Sequence, residues 1–425
     1  MDRYYGRQIV VPKIDAITAG LKIRPCFIND VCQRCGQINH YILPNQQFYC
    51  KACFILGRVS SLDVMLSLPE PNHFSNQVEL TWKGQLTKQQ NRVSNALLKT
   101  FSKNGEHLVW AVTGAGKTEM MFPLIYMALK QSKRVAIVSP RVDVIVELAP
   151  RIQEAFMNTD LAVLYGDQNE AYQYTPLVLA TTHQMLNFRA AFDLMIIDEV
   201  DSFPYAGNQM LEYGVEKARK QLSTLIYLTA TPTKKLRKKS NAGLIATSYL
   251  PLRFHQNLLP EIVTKTINDW RKKLPTKCLK QLQTFYKNQQ RFLIFVPKVA
   301  DTKTLCKVIK SHIPEMKGDF VSASDDLRQE KVESMRQENI QYLVTTTILE
   351  RGVTFPGIDV IIFGAEEDTF TENALVQIAG RVGRSKERPT GLVQAYVQHI
   401  NFKILAAQRQ IKSMNKKGRM LKNQL

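Results

Sequence analysis

The chain has 425 residues, 44% hydrophobic and 22% charged, which is ordinary for a soluble globular protein of two or three domains. Lys and Arg number 57 against 37 Asp and Glu, and a net charge of +20 points to a polyanionic partner, most often nucleic acid. No apolar run reaches the roughly 18 residues that a membrane helix needs, and the opening MDRYYGRQIVVPKIDAITAG lacks the apolar core of a secretory signal, so no membrane span and a cytosolic, reducing location are expected.

Five of the seven cysteines fall in the first 53 residues. CQRCG and CKAC place Cys32, Cys35, Cys50 and Cys53 as C-x2-C-x14-C-x2-C, close to zinc-ribbon spacing. Two thiolate turns joined by a short hairpin make the tetrahedral sulfur site that Zn²⁺ prefers. Iron in the same cage or a redox dithiol pair are the alternatives. Cys26 and His40 lie nearby, and both read as non-ligands. A site with four protein ligands is closed, so its role is structural or in docking rather than catalytic. With cores of its own, the rest of the chain is expected to fold without this module.

Residues 56–80 read as a connector ending in a Pro- and Asn-rich loop. LTWKGQLTKQQNRVSNALLKTF then turns amphipathic, with Leu86, Val93, Leu97 and Leu98 at roughly helical spacing. Gln90 within it either reads an adenine edge or is an ordinary solvated helical Gln.

The apolar stub Leu108–Val109–Trp110 reads as a buried parallel strand leading into AVTGAGKTEM, and a helix is expected from near Lys117. Thr113, Gly114, Ala115, Gly116, Lys117 and Thr118 then form a phosphate cradle. The glycines turn backbone N–H groups inward, and the helix adds its positive end. Lys117 would reach the β- and γ-phosphates of ATP, and Thr118 would hold Mg²⁺. Ala111 stands where this pattern usually opens with Gly.

RVAIVSP (134–140), LAVLYG (161–166), PLVLATT (176–182) and DLMIIDEVD (193–201) are apolar runs with polar ends, alternating with helical stretches. That alternation means an α/β fold with a parallel sheet, whose working residues sit at the strands' carboxyl ends. Asp198 would share the Mg²⁺ with Thr118, and Glu199 would orient or deprotonate the attacking water. An Asp-Glu pair also serves as a plain helix cap, but the phosphate loop upstream favours catalysis. Asp201 reads as a further polar contact in the same cleft. STLIYLTATPT (223–233) is another strand, with Thr229 and Thr231 either relaying nucleotide state or closing an ordinary turn. KKLRKK (234–239) reads as a solvated face at a domain boundary.

A second α/β block is expected from near residue 280 through QRFLIFVP, GDFVSAS and IQYLVTTTILERGVTFPGIDVIIFG. It has no phosphate loop. NALVQIAGRVGRS presents Gln377, Arg381 and Arg384, the arginines spaced to share a helix face. They read as charges for the γ-phosphate in the transition state, the alternative being a surface pair. The last ten residues read as a basic tail, mobile, nucleic-acid-contacting or simply solvated.

AVTGAGKT, SPRVD, ATTHQM, DEVD, TATPT, TTTILERGVTF and QIAGRVGR follow the order of superfamily 2 helicase motifs over roughly residues 86–390. With the four-cysteine module ahead of them, the chain resembles the ComFA family of late competence ATPases. The resemblance implies two tandem RecA-like domains: 1–80 as the N-terminal region with its zinc module at about 30–55, 81–245 as the first lobe, and 246–425 as the second. It implies a single-stranded-DNA-stimulated ATPase and translocase, using ATP, Mg²⁺ and Zn²⁺. Such a protein works with competence proteins at the cytosolic face of a DNA-uptake channel, peripheral to the membrane, and an oligomer is compatible with this. By motif position Gly352 touches nucleotide, while Pro140, Arg141, Thr182, His183 and Thr346 touch the DNA backbone. Where many superfamily members carry an acid that meets the ribose, this chain has Thr354. A duplex-unwinding replication-restart or repair helicase shares every motor motif and is the alternative.

Overall fold

Continuous runs of buried aliphatic residues need cover on both faces, and parallel sheets flanked by helices supply it. The computed structural model, which describes residues 1–16, 21–38, 40–166, 172–351 and 353–423, contains two such sheets. The first has seven strands in the order Leu161–Leu164, Leu177–Thr181, Val135–Ser139, Phe192–Asp198, Arg219–Thr229, Glu106–Ala111, Ala246–Leu250. Its first six strands pair in parallel, and every residue of Phe192–Asp198 is buried. The second sheet is parallel throughout, in the order Ile262–Thr266, Val393–Val397, Asp359–Phe363, Phe292–Phe295, Tyr342–Thr345, Gly318–Val321.

The chain forms two compact units, Met1–Trp110 with Lys117–Tyr249, and Ala111–Gly116 with Leu250–Leu425. The strand Ala246–Leu250 belongs to the first sheet, so that sheet ends a few residues past the expected boundary at 245. KKLRKK lies in a helix, Lys234–Asn241, capped by Thr233.

Several local expectations change. The expected connector 56–80 contains Asp63–Ser67, the central strand of a three-stranded antiparallel sheet with Ile9–Pro12 and Lys22–Pro25. Polar residues hid it: Asp63 is buried, but its carboxylate accepts from the Ser60 N–H and Oγ, each at 2.7 Å. The second block begins before 280, with the half-polar edge strand Ile262–Thr266 and the helix Thr276–Lys287. The C-terminal stretch forms the helix Phe402–Lys422, capped by Asn401, which buries Ile404, Ala407, Ile411 and Met414 at helical spacing. Of the last ten residues, the helix takes in those up to Lys422, where Lys416, Lys417, Arg419 and Lys422 are exposed and Gly418 is buried, so they are ordered in a helix with a solvated basic face, and 424–425 lie outside the described residues. Among the described residues, no helix is long and apolar enough to cross a membrane.

Candidate nucleotide site and four-cysteine cluster

The strand Glu106–Ala111 ends in the expected loop, with Gly114 and Gly116 at φ +75° and +72°, the region where a side chain is strained. Ala111 is the last strand residue, with no positive φ, so glycine is not required there. The α-helix starts later than expected, at Phe122, after a 3-10 turn over Glu119–Met121. Residues Ala111–Gly116 pack within the second unit: Thr113 Oγ1 donates to the Gly380 carbonyl at 3.2 Å, and Phe254 N to the Gly114 carbonyl at 2.9 Å. Arg253, unremarked in the sequence, is fully buried and donates to the carbonyls of Val382 and Gly380 at 2.5 and 3.2 Å. Burial, and then Arg384, push its guanidinium down to about 9.

In the first unit, Lys117 Nζ lies 3.3 Å from both Asp198 Oδ1 and Glu199 Oε1. Burial raises the Asp198 carboxyl above its ordinary value against the pull of Lys117. Burial also opposes the charge on Lys117, yet the two carboxylates together hold it above its ordinary value. Thr118 is buried close by in sequence. A hydroxyl and a carboxylate are the hard oxygen donors Mg²⁺ takes, and the ammonium between the carboxylates marks a place where positive charge is favoured. Glu199 sits at φ +54°, a strained backbone for a non-glycine residue that nothing in the sequence announces. Asp201, in the same segment, accepts from Thr229 Oγ1 and Thr231 Oγ1, each at 2.5 Å, so the TATPT hydroxyls are tied to the DEVD segment.

Gln90 is neither solvated nor pointing freely: its Oε1 accepts from Thr87 N and Oγ1 at 2.9 Å, closing a capping box at the start of the helix Lys88–Phe101. In the second unit Gln377 is buried on the helix Glu372–Ala379. The two arginines do not share a helix face, because the helix ends at Ala379 and both follow it. Arg381 donates to the Glu350 carbonyl at 3.0 Å, while Arg384 donates to the Gly380 carbonyl and to Thr354 Oγ1, both at 3.1 Å. Thr354, the departure from the usual acid, thus holds a candidate catalytic arginine. Gly352 lies outside the described residues.

Of the expected DNA contacts, Thr182 is fully buried and offers no side chain to the surface, and Pro140 is buried as well. His183 is half-buried, its imidazole pushed below its ordinary value by burial. Arg141 precedes the helix Val142–Ala155 and pairs with Asp143 at 2.7 Å. Thr346 is half-buried before the short turn Thr347–Leu349.

The hairpins Phe27–Ile28/Val31–Cys32 and His40–Ile42/Phe48–Cys50 bring the cysteines together. All four are fully buried, with their sulfurs within 4.8 Å of one another; Cys32–Cys53 is 3.8 Å and Cys35–Cys50 is 3.5 Å. Zinc–sulfur bonds of about 2.3 Å in a tetrahedron place sulfurs roughly 3.8 Å apart, so the set fits Zn²⁺. Hydrogen bonds among the sulfurs hold Cys32 and Cys50 below the ordinary thiol range and Cys35 and Cys53 above it: without a cation the four cannot ionise together. Cys26, pushed up to about 12 by burial, and His40 are outside the set.

The module is not the separate body expected. Its cysteines share one apolar core with Leu186, Phe188, Met195, Leu211 and Val215 of the first sheet's layer. Arg34, between the first cysteine pair, donates to Asn187 Oδ1 at 2.7 Å, and Lys217 Nζ donates to the carbonyls of Arg34 and Leu186 at 2.7 and 2.9 Å. Gly36 (φ +72°) lies where a Cβ would come 2.8 Å from the Tyr213 ring. The cysteine turn is therefore seated on the segment Thr182–Asn187 and the helix Gln209–Ala218.

Residues 83–234 match the family described as Type III restriction enzyme, res subunit, and residues 275–386 match the helicase conserved C-terminal domain. The chain is 41% identical over 396 residues to competence protein ComFA of Bacillus subtilis, covering 90% of this chain and 85% of that protein. It is 40% identical over 396 residues to ComFA of Streptococcus pneumoniae, covering 91% and 90%. Among solved structures, S. cerevisiae Dbp5 bound to RNA and ADP BeF3 is similar with a TM-score of 0.57 over 80% of this chain and 93% of that one, at 14% identity; that likeness is of fold alone.

Proposed function

Because the chain belongs to the ComFA family of superfamily 2 helicase-like proteins, we propose that it is a single-stranded-DNA-stimulated ATPase, a translocase that drives transforming DNA into the cytoplasm during competence. The observation that carries this reading is Lys117 held 3.3 Å from both Asp198 and Glu199, at the carboxyl end of a central strand. In use, Lys117 and the loop N–H groups hold the ATP phosphates, Asp198 and Thr118 hold Mg²⁺, and Glu199 orients the attacking water. Arg381 and Arg384 supply charge that matters most in the transition state. The work is done on the cytosolic side, against competence proteins at the uptake channel, and DNA is held by its phosphates without regard to sequence.

Steady-state ATP hydrolysis, measured alone, with single-stranded and with double-stranded DNA, tests this. Stimulation by single strands of any sequence is the expected result. A requirement for duplex, together with strand displacement on a forked substrate, would replace the reading with that of an unwinding helicase.

A further inference from the structure

The N-terminal region and the first cysteine pair border a cleft of 540 Å³ that nucleotide chemistry does not use. Arg3, Arg7, Arg34 and Arg58 line it, with Tyr172 and Asn187. Among the described residues no carboxylate lines it and none of the four arginines is ion-paired. The contrast within the same unit is plain, since buried Arg134 pairs with Glu70 and Arg219 with Glu106.

Arg34 is only 6% exposed and meets neutral acceptors alone: the Gly57 carbonyl at 3.1 Å, the Leu56 carbonyl at 2.6 Å and Asn187 Oδ1. Its buried Nε has no partner, and neither has that of Arg7. Arg7 lies over the Tyr172 ring at 4.1 Å. Burial, opposed by Tyr172 and reinforced by Arg134 and Arg34, holds Arg7 below its ordinary value. Like charges gathered without a counter-ion favour an anion, and guanidinium forks match phosphate oxygens. Tyr172, the ring that lines the cleft, has one face taken by Arg7, so the cleft offers mainly charge rather than a stacking surface. Arg3 and Arg58 are exposed and carry the positive lining outward, which suits a chain of phosphates rather than one small anion.

Place in the fold supplies the rest. Asn187 ends the 3-10 segment Thr182–Asn187, which begins at the motif positions Thr182 and His183. At about 2 Å per residue the cleft is roughly 10 Å along from them. We propose that this arginine cleft binds backbone phosphates of single-stranded DNA, as an extension of the motor's track formed jointly by the N-terminal segment and the cysteine turn. This rests on the translocase reading above.

The test uses the full chain and fluorescence anisotropy with two labelled oligothymidylates, one short enough to fill the motor alone and one twice as long, across a series of salt concentrations. For the exposed pair Arg3→Glu with Arg58→Glu, the log–log salt slope on the long strand should become shallower by about 1.4, at about 0.7 for each phosphate that is no longer neutralised. Arg58→Ala alone should shift it by about half as much, and the short strand should keep the wild-type slope. An unchanged slope on the long strand would overturn the cleft, and so would an equal loss on both lengths. If wild type binds no single strands, the translocase reading falls and this inference with it. Wild-type binding with unchanged variant slopes removes the cleft alone.

Discussion

The carboxylate pair and the cysteine cluster are both buried places of the same compact unit that favour a cation, and they are balanced in opposite ways. Asp198 and Glu199, 10% and 14% exposed, share the ammonium of Lys117, itself 14% exposed. That ion pair is one that another cation and phosphates could exchange, as the proposed ATP and Mg²⁺ site requires. The four cysteines have no solvent access, and their sulfurs meet one another. A cation held among them would be shut off from solvent and would stay, as in a structural zinc site. The difference between the two places lies in whether the balancing charge is replaceable.

The largest effect is expected where no replacement exists. Cys32→Ser with Cys35→Ser should release zinc and cost about 10–16 kcal/mol of apparent folding free energy, as structural zinc sites do. Because the cysteines share the first sheet's core, the loss should lower the melting temperature of the first unit and not only local order. Metal analysis and thermal melts check it. A zinc-free variant with a wild-type melt would break the comparison.

An intermediate effect is expected at Lys117. Lys117→Ala should abolish hydrolysis and remove the ammonium that Asp198 and Glu199 share, at a cost of about 3 kcal/mol in metal-free buffer. Magnesium should restore more stability to this variant than to wild type, as read from melts with and without it. Glu199→Gln should keep ATP binding while turnover falls about 10²–10⁴-fold, the range for a lost general base. Near-normal turnover in either variant would remove these residues from the site.

The smallest effect belongs to a group balanced by staying neutral. His107, 3% exposed, sits between Thr100 Oγ1 at 2.7 Å and Ser248 Oγ at 2.9 Å, and burial pushes it down to about 4. The unfolded chain takes its proton near 6.5 and the folded one only near 4. Stability is therefore full above pH 6.5 and is lost as pH falls through 4, by about 2 kcal/mol at pH 5. Melts between pH 7 and 4 should show a steeper acid loss in wild type than in His107→Gln. Parallel curves would show that the imidazole is already protonated in the fold.

Legibility in the sequence followed the range of each interaction. AVTGAGKT, DEVD and the paired C-x2-C turns could be read directly, because a phosphate cradle or half a metal site needs its residues at short, set spacing. Buried strands such as Leu177–Thr181 could be read for the same reason, as unbroken apolar runs. The strand Asp63–Ser67 could not, since its polar residues are satisfied by neighbours that only the fold supplies.

Composition, motif order and cysteine spacing by themselves determined two RecA-like parallel-sheet domains, the loop and carboxylate positions of a candidate ATP site, and a four-cysteine cluster, each specified by nearby residues. Only the tertiary structure decided that the cysteine turn is part of the first sheet's core, that Thr354 holds Arg384, and that four arginines meet in one cleft. Lys217 meets the Arg34 carbonyl across 183 residues of chain, and Arg34 reaches Asn187 across 153. Contacts at such separations leave no periodicity or spacing behind, because what brings the partners together is the packing of elements and not the local run of the chain.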